Sequence, residues 1–268
     1  VYTDITQSLS LGGLTYGVTN MELTSAYASI ANGGTYQKPV LYTKVVDHNG
    51  NILLSNTQKG KRVMKESTAF LLTDAMKDVI TKGTGKSAKL SSSMAVAGKS
   101  GTTSNSYDYW FSGYTPYHTA SVWMGYDKNT NFASDNTHKK IWAKVMNEII
   151  KTKQEQTTDF KKPADIVKAK VCKESGKLAI KEVCDHDPRG SRVITEYFEK
   201  GTVPTQTCDI HVAVEVCKTS DKLATKNCPA NKKQRKIYIV RKKGSHGKTA
   251  DTPYMLPKKY QSVFCKKH

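Results

Sequence analysis

All six cysteines of this 268-residue chain lie after residue 171, and this asymmetry constrains the fold more than any other feature of the sequence. The charge divides in the same way. Residues 1–150 contain 15 Lys or Arg against 10 Asp or Glu, a net of +5. Residues 151–268 contain 27 against 13, a net of +14. The sequence therefore predicts two units of different character, residues 1–155 and residues 156–268.

The cysteines favour disulfides in an exported protein, because six of them in a short basic segment are typical of disulfide-rich modules. No two have the C-x-x-C spacing of a zinc site, so we predict no metal. Six free thiols are the less favoured alternative. His211, His246 and His268 are scattered and are interpreted as surface residues rather than ligands.

A short internal repeat suggests a pairing of the cysteines. Residues 171–184 and 216–228 share the frame Val-Cys-Lys-x-Ser-x-Lys-Leu-Ala-x-Lys, followed by a cysteine. One disulfide per copy gives Cys172–Cys184 and Cys217–Cys228, which leaves Cys208–Cys265. Six cysteines allow fifteen connectivities, so this pairing rests on the repeat alone.

The basic charge indicates an anionic partner such as a wall polymer or lipid headgroups. The runs 232–236 and 241–243 carry much of it, and a solubilising surface is the other interpretation of both runs. The sequence contains no zinc finger and no aromatic RNA-binding signature, so nucleic acid is not predicted as a partner. No apolar run approaches the ~18 residues that a membrane span needs.

The first unit mixes helices and strands. Thr19 and Glu22 form a capping box at the start of a helix, and apolar residues at helical spacing predict a second helix over 66–81. Asn49-Gly50 predicts a hairpin between strands at 40–46 and 52–54. Further strands are predicted at 94–100, 109–114 and 119–126, the last two forming a hairpin, and a long helix at 138–151. This order predicts an α/β or α+β fold, an antiparallel sheet flanked by helices, followed by a small, mostly β or irregular disulfide-rich module.

The segment Gly98–Asn105 carries the clearest chemistry. Lys99 supplies a positive field, the hydroxyls of Ser100 and Thr103 can bind a carboxylate, and Gly101 lets another backbone come close. On an edge strand these residues would hold an extended peptide. A polar strand end with a solvated lysine is the alternative.

The surrounding motifs resemble the penicillin-binding proteins, and the class A enzymes in particular. The resemblance covers residues 8–150 and rests on runs on both sides of Lys99. These are Leu11-Gly-Gly-Leu14, Met21-Glu-Leu23, Ala31-Asn-Gly-Gly34, Gly83-Thr-Gly85, Asp108-Tyr-Trp-Phe-Ser-Gly-Tyr-Thr-Pro116 and Ser121-Val-Trp-Met-Gly-Tyr-Asp127. After residue 171, Cys172-x-x-Ser-Gly-Lys-Leu-Ala179 and Gly201-Thr-Val-Pro204 look like the C-terminal extension of some Gram-positive members.

This resemblance implies a fold and a set of roles. The fold would be the second half of the penicillin-binding protein and serine β-lactamase fold. Lys99-Ser100-Gly101 matches the third of the family's boxes Ser-x-x-Lys, Ser-x-Asn and Lys-Thr/Ser-Gly. Lys99 would then set the electrostatics, Ser100 and Thr103 would hold the carboxylate of a stem peptide or a β-lactam, and the Thr102 N–H would donate to the oxyanion.

The first two boxes do not stand before Lys99. Ser245-x-x-Lys248 and Ser134-Asp135-Asn136 are present but follow it in the chain, so we interpret both as chance matches. The nucleophile, the membrane anchor and a glycosyltransferase domain are therefore expected before Val1, on a separate piece of the same protein. The chain alone is predicted to lack the nucleophilic serine and to be inactive.

The resemblance implies a peptidoglycan DD-transpeptidase at the extracytoplasmic face of a bacterial membrane, with no cofactor. Its partners would be D-Ala-D-Ala stem peptides, the lipid-linked precursor, β-lactams and the N-terminal portion of the same protein. A related carboxypeptidase or penicillin-sensing protein is one alternative. A non-catalytic basic module that binds anionic wall polymers is another, although it leaves the surroundings of Lys99 unexplained.

Overall fold

The computed structural model describes residues 4–241 and 249–268, and it divides into two compact units, Val1–Ala164 and Asp165–His268. The Ser245-x-x-Lys248 match and His246 lie outside the described residues. Within the described ranges, no helix combines the length and the apolar composition that a bilayer crossing requires.

Three helices organise the first unit: α1 (Asn20–Ala31), α2 (Glu66–Thr81) and α3 (Thr137–Lys153). The predicted capping box at α1 is confirmed, because the Thr19 hydroxyl accepts from the Glu22 N–H and the Glu22 carboxylate accepts from the Thr19 N–H. The predicted bounds of α2 match the structure. α3 extends the predicted helix by one residue at its start and by two at its end.

Two small two-stranded sheets precede the main sheet. β1 (Thr35–Tyr36) pairs with β4 (Lys61–Arg62), and β2 (Lys44–Val46) pairs with β3 (Ile52–Ser55), all antiparallel. Asp47 holds the β2–β3 turn, since its carboxylate accepts from the N–H groups of Asn49 and Asn51. The predicted hairpin is confirmed, with a later start to its first strand.

The main sheet contains β5 (Ala97–Thr102), β6 (Asp108–Tyr114) and β7 (Thr119–Gly125) in the order β5-β6-β7, all antiparallel. The sheet has helices on both of its faces. Phe111, Ala120 and Val122 pack against Trp142 and its neighbours on α3. On the opposite face, Ala97 and Tyr114 pack against apolar residues of α1 and α2. The prediction of an antiparallel sheet flanked by helices is confirmed.

The predicted strand at 94–100 begins later, at Ala97, because the residues before it contact the segment that follows α3. The Ala95 N–H donates to the Thr158 carbonyl at 3.2 Å. The Phe160 ring packs edge-on against Tyr114 with ring centroids 5.4 Å apart. Residues 156–164, predicted as the start of the second unit, therefore belong to the first unit, and the division falls after Ala164.

The second unit consists of short strands. β8 (Ile166–Cys172) pairs with β9 (Val193–Glu199), and β10 (His211–Cys217) lies between β11 (Lys222–Leu223) and β12 (Lys233–Ile239). These strands pair in antiparallel fashion, and a short helix, α4 (Lys259–Ser262), follows. The prediction of a mostly β or irregular module is confirmed for the described part of the chain, whereas its disulfides are not found.

Candidate active site on the edge strand

The five predicted site residues lie side by side on β5, from Lys99 to Thr103 just beyond its end. β5 stands at one side of its sheet and pairs with β6 alone among the described residues. Its exposure changes along its length: Ala97 and Gly98 are buried, while Lys99, Gly101 and Thr102 are exposed. The strand is therefore anchored at its start and open where the candidate residues lie.

The pairing register sets the direction of each backbone group on this strand. The Thr103 N–H donates to the Asp108 carbonyl at 3.2 Å, so these two residues form a hydrogen-bonded pair. Hydrogen-bonded and non-hydrogen-bonded pairs alternate along an antiparallel ladder. Thr102, paired in register with Tyr109, therefore directs its N–H away from β6 and toward the unpaired edge.

Lys99 and Ser100 lie on opposite faces of the strand but are linked through it. The Lys99 ammonium donates to the Ser100 carbonyl at 2.8 Å. The Ser100 hydroxyl lies 2.9 Å from the Thr84 hydroxyl, on the loop after α2. Thr84 was not predicted to be a site residue. The Gly83-Thr84-Gly85 motif was the available signal, because the two glycines let the loop turn back tightly against Val79 at the end of α2.

The Thr103 hydroxyl is already engaged. It donates to the Asp108 carboxylate at 3.1 Å and accepts from the Asp108 N–H at 2.9 Å. The indole N–H of Trp123 donates to the other oxygen of the same carboxylate at 2.8 Å. Of the two hydroxyls predicted to bind a carboxylate, Ser100 is thus paired with a neutral hydroxyl and Thr103 with an anion.

Close packing holds β5 against β6, and one buried hydrogen bond holds β6 against α2. A Cβ at Gly98 would lie 2.8 Å from the Ser112 carbonyl oxygen, so only glycine allows this approach of β5 to β6. The Tyr114 hydroxyl lies 2.8 Å from the Thr73 hydroxyl of α2. Burial raises the pKa of Tyr114 to about 12, so its hydroxyl stays protonated at neutral pH.

The Ser134-Asp135-Asn136 match forms the turn into α3. Ser134 is buried, and its hydroxyl lies 3.0 Å from His138 Nδ1. Burial and the nearby Lys139 charge lower the pKa of His138 to about 4. Burial and the Lys99 charge lower the pKa of Lys139. This turn therefore lies within electrostatic reach of the candidate site, with its serine turned inward.

The cysteines of the second unit gather in two groups rather than in three bonded pairs, and each group contains a histidine. All six thiols are free and buried, so the predicted disulfides Cys172–Cys184, Cys217–Cys228 and Cys208–Cys265 are wrong in this structure. Cys208 and Cys265 belong to different groups. The ligand-capable atoms of each group lie within 4.8 Å of one another. The groups are Cys172, Cys184, Cys208 and His211, and Cys217, Cys228, Cys265 and His268.

The interpretation of His211 as a surface residue is also wrong. It is 5% exposed, with Nδ1 3.4 Å from Cys172 Sγ and 3.3 Å from Cys208 Sγ. His268 is partly buried, and its Nδ1 lies 3.5 Å from the sulfurs of Cys217 and Cys265. The missed signal is the C-x-x-H spacing of Cys208 with His211 and of Cys265 with His268.

Comparison with known protein families gives two matches along the chain. Residues 3–151 match the model described as the penicillin binding protein transpeptidase domain. Residues 162–213 match the model described as the C-terminal domain of penicillin-binding protein 1A. The first match lies within the first unit, and the second begins three residues before the division after Ala164 and continues into the second unit.

Curated relatives match over most of the chain. Penicillin-binding protein 1A of Clostridium botulinum (strain Langeland) is 36% identical over 256 residues, which cover 93% of this chain and 30% of that protein. Penicillin-binding protein 1A/1B of Bacillus subtilis (strain 168) is 32% identical over 220 residues, which cover 75% of this chain and 24% of that protein. The chain thus spans less than a third of the length of these relatives.

A solved structure shows the same fold. The crystal structure of penicillin-binding protein 1A from Haemophilus influenzae matches with a TM-score of 0.60 and 24% identity, over 76% of this chain and 35% of that one. At this identity the likeness concerns the fold alone.

Proposed function

Since the chain belongs to the penicillin-binding protein transpeptidase family, we propose that its first unit forms the carboxylate-binding and oxyanion-binding side of a peptidoglycan DD-transpeptidase. The observation that carries the proposal is the edge of β5 opposite β6, which pairs with no other strand in the part of the chain that the structure describes. There the Thr102 N–H, the Ser100 hydroxyl and the Lys99 ammonium lie within one short stretch of exposed strand. A stem peptide in extended conformation would add to this edge as a further strand.

The reaction that we propose is acyl transfer in two steps. A serine attacks the carbonyl carbon between the two D-Ala residues, and the C–N bond breaks to release the terminal D-Ala. An amine of a neighbouring stem then attacks the acyl-enzyme ester and the serine leaves. In each step the carbonyl oxygen gains charge in the tetrahedral intermediate, and the Thr102 N–H donates to it.

The terminal carboxylate of the donor peptide would be bound beside this oxyanion donor. Lys99 attracts it by charge, and Gly101 leaves room for the peptide backbone because a Cβ there would meet nothing closer than 3.5 Å. The Ser100 hydroxyl can turn from Thr84 to the carboxylate by exchanging one neutral partner for a charged acceptor. Thr103 would first have to give up its bond to Asp108, so Ser100 is proposed as the main donor.

The nucleophile is proposed to lie in the part of the protein that the curated relatives contain outside the matched region. The surface of the first unit supports this. Leu11 and Leu41 are each 92% exposed, and three successive apolar residues of β3, residues 52–54, are exposed on a two-stranded hairpin. A hairpin of this kind is marginal by itself in water. We therefore propose that an N-terminal portion of the same protein covers these surfaces, and that this chain alone is inactive.

The proposal extends to location and partners. The family resemblance supports a membrane-anchored protein whose transpeptidase unit faces the outside of the cell, with a glycosyltransferase domain acting on the lipid-linked precursor and β-lactams as inhibitors. Binding of an anionic wall polymer by the second unit has weaker support. Three cations of the basic run on β12 have acidic partners within 3.9 Å: Lys233 with Glu215, Arg235 with Glu182, and Lys236 with Asp221.

The test is acylation of the complete protein by a fluorescent penicillin, read on a denaturing gel. The variant Lys99→Ala is expected to lose 100-fold or more in labelling rate, on the order of the effect of removing one oxyanion donor from other acyl-transfer enzymes. Lys170→Ala, which removes an exposed lysine from a strand of the second unit, is the matched control and should label normally. Normal labelling of Lys99→Ala would overturn the assigned role.

The labelled residue itself is found by protease digestion and mass spectrometry. The proposal expects the label on a serine outside residues 1–268 and unchanged labelling of Ser245→Ala. A label on Ser245 would show that the box order was misread. Product analysis with a donor and an acceptor stem peptide separates transfer from the hydrolysis that a carboxypeptidase would perform, because hydrolysis releases D-Ala without forming a cross-link.

A further inference from the structure

We propose that the second unit binds two zinc ions, one at Cys172, Cys184, Cys208 and His211, and one at Cys217, Cys228, Cys265 and His268. Three thiolates and one imidazole are a ligand set of structural zinc sites, which are tetrahedral and leave no open position for a substrate. In each group the four ligand-capable atoms lie within 4.8 Å of one another. This inference is independent of the acyl-transfer function proposed for the first unit.

The first site is enclosed and convergent. Its three cysteines and its histidine are all buried, and they come from separate parts of the unit. Cys172 ends β8, His211 begins β10, and the other two lie in the segments between the strands. His211 Nδ1 points to the sulfurs of Cys172 and Cys208. A chain that buries three thiols around one imidazole nitrogen gains little apolar contact from them, so coordination explains the arrangement better than packing.

A second layer of groups orients the histidine of this site. His211 Nε2 lies 2.6 Å from the Asp187 carboxylate, and both side chains are fully buried. A hydrogen bond from Nε2–H to this carboxylate leaves Nδ1 as the lone-pair nitrogen that faces the thiols. This carboxylate–histidine pairing is typical of zinc ligands. Arg189 in turn holds Asp187, donating to both of its oxygens at 2.9 and 2.7 Å.

The second site has the same backbone bridge and hydrogen bond as the first. In each copy the leucine of the Lys-Leu-Ala frame bridges, in parallel, the residue before the third cysteine. Leu178 pairs with Thr207 and Leu223 with Phe264. The N–H of the third cysteine then donates to the leucine carbonyl at 2.8 Å in both copies. The two groups of thiols are therefore built by the same local structure, which is unexpected for six cysteines buried at random.

Backbone N–H groups also point at the sulfurs in corresponding places. The Ile180 N–H donates to Cys184 Sγ at 3.3 Å, and the Thr225 N–H donates to Cys228 Sγ at 3.3 Å. The Lys267 N–H lies 3.4 Å from Cys265 Sγ. An N–H donor aimed at sulfur stabilises a thiolate more than a thiol, because the acceptor then carries the charge. These contacts fit metal-bound thiolates.

The charge balance is favourable. Binding one Zn²⁺ releases up to three thiol protons to solvent, and each filled site then carries a net charge of −1. The surrounding unit is strongly basic, and a lysine directly follows the first cysteine of each copy, Lys173 and Lys218. The lysine of each copy thus offsets part of the negative charge of the zinc site that the cysteines of that copy form.

The first measurement is the metal content of the complete protein, purified without added metal or chelator, by elemental mass spectrometry. Two zinc ions per copy of the 268-residue chain are expected above any bound elsewhere. The reference is the same protein with Cys208→Ser and Cys265→Ser. Thiols are counted in parallel after denaturation in chelator without reductant, and all six cysteines of the chain should react. No zinc above the reference, or fewer than six reactive thiols because disulfides have formed, would overturn the proposal.

Single variants test the sites one at a time. Cys208→Ser should remove one zinc and leave the other, as should Cys265→Ser. If one variant leaves the zinc content unchanged, the assignment of that site is wrong while the other stands. His186→Ala is the matched control, because His186 is an exposed histidine in the same segment as Cys184 and should retain both zinc ions.

Asp187→Asn tests the second layer without removing a ligand. It should fold and bind two zinc ions at saturation, but the first site should lose zinc to a competing chelator at a 10- to 100-fold lower chelator concentration. Replacement of zinc by Co²⁺ gives a second readout, the absorption bands of tetrahedral thiolate coordination. An unchanged chelator titration for Asp187→Asn would show that the carboxylate does not position the ligand. Octahedral Co²⁺ bands would overturn the four-ligand assignment.

Discussion

In the first unit a phenylalanine and a tryptophan meet at the centre, with Phe111 and Trp142 ring centroids 5.2 Å apart and both side chains fully buried. The buried clusters of the second unit are instead centred on cysteines, three in each of two groups. The first unit folds around apolar area that helices contribute to a sheet. The second unit has short strands and few large buried side chains, so burial of apolar area contributes less to its stability. The proposed zinc sites supply the remaining stabilisation.

This difference shows how two neighbouring regions of one chain can be stabilised by different physical means. An apolar core tolerates gradual change, because each large-to-small substitution in it costs about 1–5 kcal/mol. A metal centre responds in an all-or-none manner, since loss of the ion removes the stabilisation of the whole site. Loss of the metal and loss of core contacts should therefore have separable effects on the two units.

Removal of zinc should have the largest effect and should be confined to the second unit. A strong chelator is expected to abolish amide-exchange protection in β8 and β10, because apparent zinc-binding energies of about 10–16 kcal/mol in small zinc domains exceed the stability of a typical unit. Peptides from α2 and α3 should keep their protection. Hydrogen exchange with mass spectrometry measures both in one sample. Equal loss of amide-exchange protection in both units, or no loss in either, would contradict the claim that zinc stabilises the second unit alone.

Trp142→Ala should give the next largest effect, in the opposite unit. Trp142 is fully buried and its indole N–H donates to the Ala120 carbonyl at 3.0 Å. Its removal should lower the free energy of unfolding of the first unit by about 3–5 kcal/mol, measured by pulse proteolysis in urea. The zinc content should stay at two. Trp123→Ala is the control and should cost clearly less, because Trp123 is 39% exposed.

A pH dependence should follow from His138. Its pKa is lowered to about 4, below the ordinary 6.5, because burial disfavours the charged ring. The unfolded state therefore binds more protons between these values, and the free energy of unfolding of the first unit should fall as the pH drops from about 6.5 to about 4, by up to about 3 kcal/mol. His138→Gln should flatten this part of the curve. Pulse proteolysis at each pH, read on peptides from α3, gives the measurement.

The smallest effect is expected at an exposed ion pair. Lys82 and Asp78 lie 3.0 Å apart at the end of α2, and both side chains are well exposed. Asp78→Asn should change the free energy of unfolding by less than about 0.5 kcal/mol, because solvent and salt screen such pairs. A change above 1 kcal/mol would mean that the end of α2 carries more of the first unit's stability than its contacts indicate.

The sequence predicted best where a local rule decides the structure. The bounds of α2 follow from apolar spacing and from the glycines after it, and the α1 capping box follows from two residues three positions apart. The candidate strand was also located, because Lys99-Ser100-Gly101 lies in a recognisable run. Its start was misplaced by three residues, since contacts with residues 155–160, more than fifty positions away, were not visible in the local pattern.

The larger error concerned the cysteines, and its cause is sequence distance. The repeat correctly indicated that Cys172 and Cys184 lie close together, but the third cysteine of their group follows 24 positions after Cys184. The assumption of one disulfide per copy then left Cys208 and Cys265 to be paired with each other, although they belong to different groups. A metal site needs four groups to converge, and only the last two, Cys208 and His211, are close in sequence. The contact between Thr84 and Ser100 was missed for the same reason, because it joins two segments through the fold.

The repeated frame of the second unit also bears on how such a module can evolve. The third cysteine follows the second after 24 positions in one copy and 37 in the other, yet both reach the same parallel bridge to a leucine. Two copies that share a frame and its hydrogen bonds are what duplication of one ancestral segment would leave. The stretch between second and third cysteines is where the copies have diverged in length. Insertions should therefore be tolerated in the loops of this stretch, but not in β9 of the first copy or β12 of the second, which pair with neighbouring strands.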